Sequence, residues 1–224
     1  MDILRTFVDL FLHLDTYLDE VIRNYGIWTY GLLFTVIFIE TGLVVTPFLP
    51  GDSLLFAAGT FASLGSLNIF LLWGLVFVAA VLGDTVNYWI GHKLGLAIFD
   101  TQNRLLKKVL KREYLDRTEA FYAKHGGKTI VLARFVPIVR TFAPFVAGVG
   151  TMEYGRFISY NLIGGFSWVT LFLFMGYFFG NIPFVKANFE LVIIGIILVS
   201  VLPMFIEYWK SRSAKKAEAT GPVA

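Results

Sequence analysis

Residues 40–59 read ETGLVVTPFLPGDSLLFAAG, and residues 129–150 read TIVLARFVPIVRTFAPFVAGVG. Both set helix breakers inside apolar sequence: Pro47, Pro50 and Gly51 in the first, Pro137 and Pro144 in the second. Proline removes a backbone donor and glycine loosens the chain, so each stretch is cut into pieces shorter than the ~20 residues that cross ~30 Å of hydrocarbon. Both also carry charge, Glu40 and Asp52 in one and Arg134 and Arg140 in the other. Residues 27–64 and 129–150 are therefore expected to form re-entrant helical hairpins, with Asp52-Ser53 as a helix N-cap at the tip of the first.

Outward from these stretches lie longer apolar runs. Residues 68–92 are long enough to cross and hold Asp84 as their only acid, residues 156–185 are uncharged after Arg156, and residues 188–207 form a third span around an apolar 191–206. Residues 1–24 place Ile3, Leu4, Phe7, Leu10, Phe11, Leu14 and Leu18 at helical spacing, with Asp2, Arg5, Asp9, Asp15 and Asp19 between them. That is the pattern of an amphipathic helix lying along a membrane surface. Hairpin then span occurs twice: Pro50 and Pro137 are 87 residues apart, and Gly91-x-x-x-Gly95 recurs 85 residues on as Gly176-x-x-x-Gly180. The expectation is an all-α polytopic membrane protein, a single membrane domain built as an inverted repeat. GxxxG by itself marks no more than close helix packing.

Composition agrees. Of 224 residues 57% are apolar and only 16% charged, with 23 Phe and a mean hydropathy of +0.70. Soluble domains carry about 25% charged residues, and one of this size cannot hide so much apolar surface. A soluble enzyme, a disordered chain and a secreted disulfide scaffold are excluded. With no cysteine there is no disulfide, thiolate metal site or cysteine nucleophile. His13, His92 and His125 match no ligand spacing, so neither metal nor organic cofactor is expected. The N-terminus lacks an unbroken apolar core before a small-residue cleavage site, so the mature chain is expected to begin at Met1. The net charge of +3 is uneven: residues 100–128 hold eight Lys/Arg against four Asp/Glu, and residues 207–224 hold four against two. Such runs beside apolar spans report cytoplasmic loops rather than nucleic-acid binding. The basic segment 100–128 and the tail 208–224, with the C-terminus, are thus placed in the cytoplasm. Lys124 and Lys128 read as solvated loop charges, and His92 and His125 as interfacial or loop residues.

The stretches from Glu40 to Gly59, Gly83 to Gly95 (GDTVNYWIGHKLG) and Ala133 to Gly148 (ARFVPIVRTFAPFVAG) resemble those of the DedA family of bacterial inner-membrane proteins, over most of the 224 residues. The resemblance implies a VTT-type membrane fold with two facing re-entrant hairpins in the bacterial cytoplasmic membrane. It implies lipid translocation, chiefly the return of undecaprenyl phosphate across that membrane at the expense of the proton motive force. The family's functional acidic pair and arginine pair fall on Glu40, Asp52, Arg134 and Arg140.

Electrostatics supports a role for those four. Each Asp or Arg at the bilayer centre costs about 2.5–3.5 kcal/mol, so two acids and two arginines facing lipid would cost on the order of 10 kcal/mol. The hairpin tips are expected to meet, with the charges pairing across them beside a water-filled cavity open to one side at a time. A guanidinium offers parallel donors to a phosphate. A half-helix N-terminus near Pro144 would add backbone donors beside Arg140-Thr141. The headgroup is expected between Arg134 and Arg140, its tail in lipid. Glu40 and Asp52 are the candidate proton carriers, because moving a negative charge inward costs about 2.3 kcal/mol per 100 mV unless a proton accompanies it. Ser53, Thr141, Asp84, Asn87 and Tyr88 are candidate cavity-lining residues. The stripe Asp84, Tyr88, Gly91 and Gly95 serves a helix–helix contact equally well.

Enzyme readings lack residues. Gly51-Asp52-Ser53-Leu54 spells the opening of a lipase-type GDSL motif, but no downstream Asp-x-x-His follows. Lys128 and Arg134 have the wrong spacing for a lipid-phosphatase signature. The expectation is a transporter and not an enzyme: a proton-motive-force-dependent flippase of undecaprenyl phosphate. The alternatives are a phospholipid scramblase, a proton-coupled cation or drug antiporter, and a purely structural ion-pair network. Its partners would be membrane lipid and protons, not nucleic acid, with a homo-oligomer left open.

Overall fold

The computed structural model describes residues 14–43, 51–94, 112–150, 152–180 and 182–188, with 191, 192 and 195. Outside the described residues lie the chain before Leu14, the breakers Pro47 and Pro50, Gly95, the basic segment up to residue 111, and nearly all of the 188–207 span and the tail. Among the described residues there is no strand. The helices are α1 (Leu14–Tyr25), α2 (Trp28–Gly42), α3 (Gly51–Ser63), α4 (Ile69–Leu94), α5 (Arg112–His125), α6 (Thr129–Ala133), α7 (Pro137–Val149), α8 (Tyr154–Phe179) and α9 (Pro183–Ala187), with a 3₁₀ turn at Gly126–Lys128 before α6.

α4 and α8 are the long members, 26 residues each. At 1.5 Å per residue each extends about 39 Å, and mean hydropathies of 2.2 and 1.7 make both apolar enough to cross a membrane. They are antiparallel neighbours. Trp73 Nε1 donates to Thr170 Oγ1 (2.9 Å) towards one end, and Asn161 Nδ2 donates to the Val81 carbonyl (3.1 Å) towards the other. Phe70, Phe166 and Phe178 stand exposed on the outer faces, as lipid-facing side chains do. The start of α4 is set by Asn68, whose Oδ1 accepts the backbone N–H groups of Phe70 and Leu71 (3.0 Å each). The turn before it closes at Gly65, whose φ of 83° lets Ser66 N–H reach the Phe61 carbonyl (3.1 Å).

The short helices arrange themselves around this pair in a repeating way. α2 lies chiefly against α4, and α6 against α8, each beside the long helix of its own half. α3 and α7, 13 residues each, cross over: α3 packs on α8 and α7 on α4. Each crossing needs two glycines. A side chain on Gly59 would strike the Leu173 carbonyl and one on Gly176 the Phe56 carbonyl, while Gly91 meets the Phe145 carbonyl and Gly148 the Tyr88 carbonyl. The two halves therefore use the same backbone-on-backbone contact, and Gly91 and Gly176, the repeated glycines that open each GxxxG, are packing positions. α2 and α3 touch one another little and pack on different long helices.

Two local expectations are corrected. The helix expected to start beside Pro144 starts at Pro137, where the missing N–H costs nothing, and runs through Pro144 to Val149. Pro144 removes only one helical hydrogen bond, and its neighbours in α7 are tied to other helices: the Thr141 carbonyl accepts Asn87 Nδ2 (2.8 Å) and the Ala143 carbonyl accepts the Tyr122 hydroxyl (2.8 Å). α3 already begins at Gly51, so Asp52 and Ser53 sit inside its first turn rather than capping it. An acid there still meets the positive end of the helix. Tyr122 is what fastens α5 to α7, and burial, then the nearby Asp84 carboxylate, hold its phenol well above the ordinary range, so that it stays a donor.

Candidate functional site

Five ionisable side chains meet where the end of α2, the start of α3, the first turn of α7 and the middles of α4 and α8 converge. Arg140, in the first turn of α7, donates from Nη2 to Glu40 Oε1 (2.6 Å) and from Nη1 to Asp52 Oδ1 (2.8 Å). The expectation that charges pair across the two broken stretches is met by this triad. Glu40 closes α2, and its Oε2 lies against the Gly51 backbone, where a side chain would collide with it. Arg134, in the turn between α6 and α7, forms the second group. Its Nη2 donates to Asp84 Oδ2 of α4 and to Asn161 Oδ1 of α8 (2.6 Å).

Trp168 of α8 joins the two groups. Its indole N–H donates to Asp52 Oδ1 (2.8 Å), and its ring centroid lies 5.4 Å from the Arg140 guanidinium carbon and 5.9 Å from that of Arg134. A cation over an indole face is stabilised further when little water reaches it, and here Glu40 is 1% exposed, Arg134 2%, Asp84 3%, Arg140 6% and Trp168 0%, with Asp52 half-buried at the edge. In this structure the charges solvate one another, and the Asp52 side chain, 14% exposed, is the most accessible of the five. Three carboxylates face two guanidiniums, so the cluster carries a formal charge of −1. Not every donor is used. Arg134 Nε and Nη1 and Arg140 Nε are buried without an acceptor among the described residues.

The other expected site residues fall nearby with different roles. Asn87 is fully buried and bridges the halves, its Nδ2 donating to the Thr41 (3.2 Å) and Thr141 (2.8 Å) carbonyls, next in sequence to Glu40 and Arg140. Tyr88 donates to the Met152 carbonyl (2.5 Å), and Gly91 meets α7. Of that stripe, Asp84 belongs to the charge cluster, while Tyr88 and Gly91 hold helices together and Gly95 lies outside the described residues. Ser53 and Thr141 are buried beside Asp52 and Arg140 in sequence.

Sequence reasoning placed Asp84 as a cavity-lining or helix-contact residue and omitted Asn161 and Trp168. Asn161, Gly164, Gly165 and Trp168 recur at helical spacing on one face of α8, small residues between two polar handles. A side chain at Gly164 would press on Arg134. That pattern was the available signal.

An α-helical membrane protein with apolar crossing-length helices around a buried, mixed-charge cluster is the class that fold and site define. The VTT domain family matches residues 49–178, which hold every member of the cluster except Glu40. The Protein DedA of Escherichia coli strain K12 is 54% identical over 216 residues, 96% of this chain and 97% of its own. An uncharacterized membrane protein of Mycobacterium leprae is 44% identical over 80% of this chain and 82% of its own. The inner membrane protein YqjA of Escherichia coli strain K12 is 34% identical over 82% and 85%. No solved structure matches. The chain belongs to the VTT-domain DedA family of membrane proteins.

Proposed function

We propose that the chain is a lipid transporter of the bacterial cytoplasmic membrane, not an enzyme, that moves undecaprenyl phosphate across it with protons as the coupling ion. The observation that carries this reading is the buried cluster of Glu40, Asp52, Asp84, Arg134 and Arg140, one positive charge short of neutral. Such a cluster has reason to take up a proton, and it retains buried guanidinium donors for a phosphate. A proton carried with the lipid cancels the electrical work of moving its charge inward. In this reading α2–α3 and α6–α7 are re-entrant arms entering from opposite faces, α4 and α8 cross, and α5 and the C-terminus are cytoplasmic. The partners are lipid and protons. The relative from Escherichia coli named an inner membrane protein supports the location.

One observation favours a second reading. Arg140 is held by two carboxylates, which suits a proton-coupled cation or drug antiporter whose acids are the ligands. Reconstitution in liposomes separates them. Labelled undecaprenyl phosphate is expected to cross under a pH gradient while a zwitterionic phospholipid does not, and an Arg134→Ala/Arg140→Ala variant is expected to be inactive. Equal, gradient-independent movement of both lipids would mean a scramblase, and cation flux without lipid movement an antiporter.

A further inference from the structure

We propose that the two arginines have separate tasks: Arg134 is the seat of the lipid's phosphate, and Asp84 is the counter-ion that the phosphate displaces from it. The assignment rests on the lipid-phosphate reading above and deepens it. Arg140 is engaged at both terminal nitrogens, each by a carboxylate, and only its Nε lacks an acceptor. Among the described residues Arg134 is engaged at Nη2 alone, shared by Asp84 and Asn161, while Nη1 and Nε have no acceptor although the residue is only 2% exposed. A buried guanidinium nitrogen without an acceptor is a costly arrangement that an anion's oxygens relieve.

Charge points the same way. Glu40, Asp52 and Arg140 sum to −1, so an approaching phosphate monoester is repelled there; Arg134 and Asp84 sum to zero and offer free donors. Asn161 makes the exchange workable. It is neutral, it holds Nη2 independently of Asp84, and its own Nδ2 is anchored on the Val81 carbonyl (3.1 Å). The Trp168 ring beside the guanidinium keeps its plane in place. Arg134 therefore stays aimed when its carboxylate partner leaves.

The test is calorimetric titration of the purified full-length protein, in a neutral detergent, with dodecyl phosphate. Asp84→Asn removes the competing charge and is expected to tighten binding about tenfold or more; Asn161→Asp adds a competing charge at the same nitrogen and is expected to weaken it by a similar factor. Loss of a merely structural contact would not tighten binding. Unchanged or weaker affinity in a folded Asp84→Asn protein overturns the assignment. Should that variant not fold, unchanged affinity in Asn161→Asp overturns it by itself. A wild-type protein that binds dodecyl phosphate while neither variant responds overturns the assignment and leaves the transport reading standing. A wild-type protein that binds none overturns both.

Discussion

Arg140 is the residue on which the buried charges depend. Replacing it by Gln leaves Glu40 and Asp52 facing one another with no cation between them, and breaking a buried pair from one side costs about 3–5 kcal/mol. Chemical denaturation in detergent is expected to show a loss of that size for Arg140→Gln. Trp168→Phe keeps the ring beside both guanidiniums but removes the N–H on Asp52. It is expected to cost about 1–2 kcal/mol in the same assay. Glu40→Gln acts in the opposite sense. It brings the cluster's formal charge from −1 to zero, so the protein is expected to fold while lipid movement in liposomes stops responding to an imposed pH gradient. A pH response that survives in Glu40→Gln would move the proton site to another carboxylate.

At the scale of elements, the crossings of α3 on α8 and of α7 on α4 depend on backbones that touch. A methyl group on Gly176 would meet the Phe56 carbonyl, and one on Gly91 the Phe145 carbonyl, and neither backbone has a flexible end that can yield. Gly176→Ala and Gly91→Ala are each expected to cost about 1–3 kcal/mol by overpacking, read as a lowered melting temperature. Gly74, in the same helix as Gly91, has nothing within 4 Å. Gly74→Ala is expected to leave the melting temperature unchanged or raise it, since alanine favours the helix by up to about 1 kcal/mol. Similar losses at Gly176 and Gly91 would show that the two crossings contribute alike, as an internal repeat requires.

For the whole molecule, the antiparallel α4 and α8 define two ends. Ser66 lies in the exposed turn before α4 at one end, and Glu153 lies exposed before α8 at the other. The chain contains no cysteine, so single cysteines can be placed without removing any. A membrane-impermeant thiol reagent is expected to label Ser66→Cys in intact cells and Glu153→Cys only after permeabilisation, because Glu153 shares its end with α5, which belongs to the basic segment 100–128. Labelling of both from one side would mean that α4 and α8 do not cross.

The membrane as solvent, the helical class, the doubling of the design and the five charged residues are legible in the chain alone, because each is written in local quantities: composition, the length of apolar runs, the spacing of breakers and the rarity of charge among them. Which charge faces which was decided only in the tertiary structure. Arg140 reaches Glu40 across 100 residues and Asp52 across 88, and Arg134 reaches Asp84 across 50. No periodicity within a helix encodes such pairings. Asp84 carries no local mark of its role because its partner lies in the other half of the chain, and neither does Trp168, whose N–H finds Asp52 116 residues away. The start of α7 at Pro137 rather than near Pro144 has the same origin: contacts from Asn87 and Tyr122 tie down one continuous helix across the proline beside which local rules placed a new start.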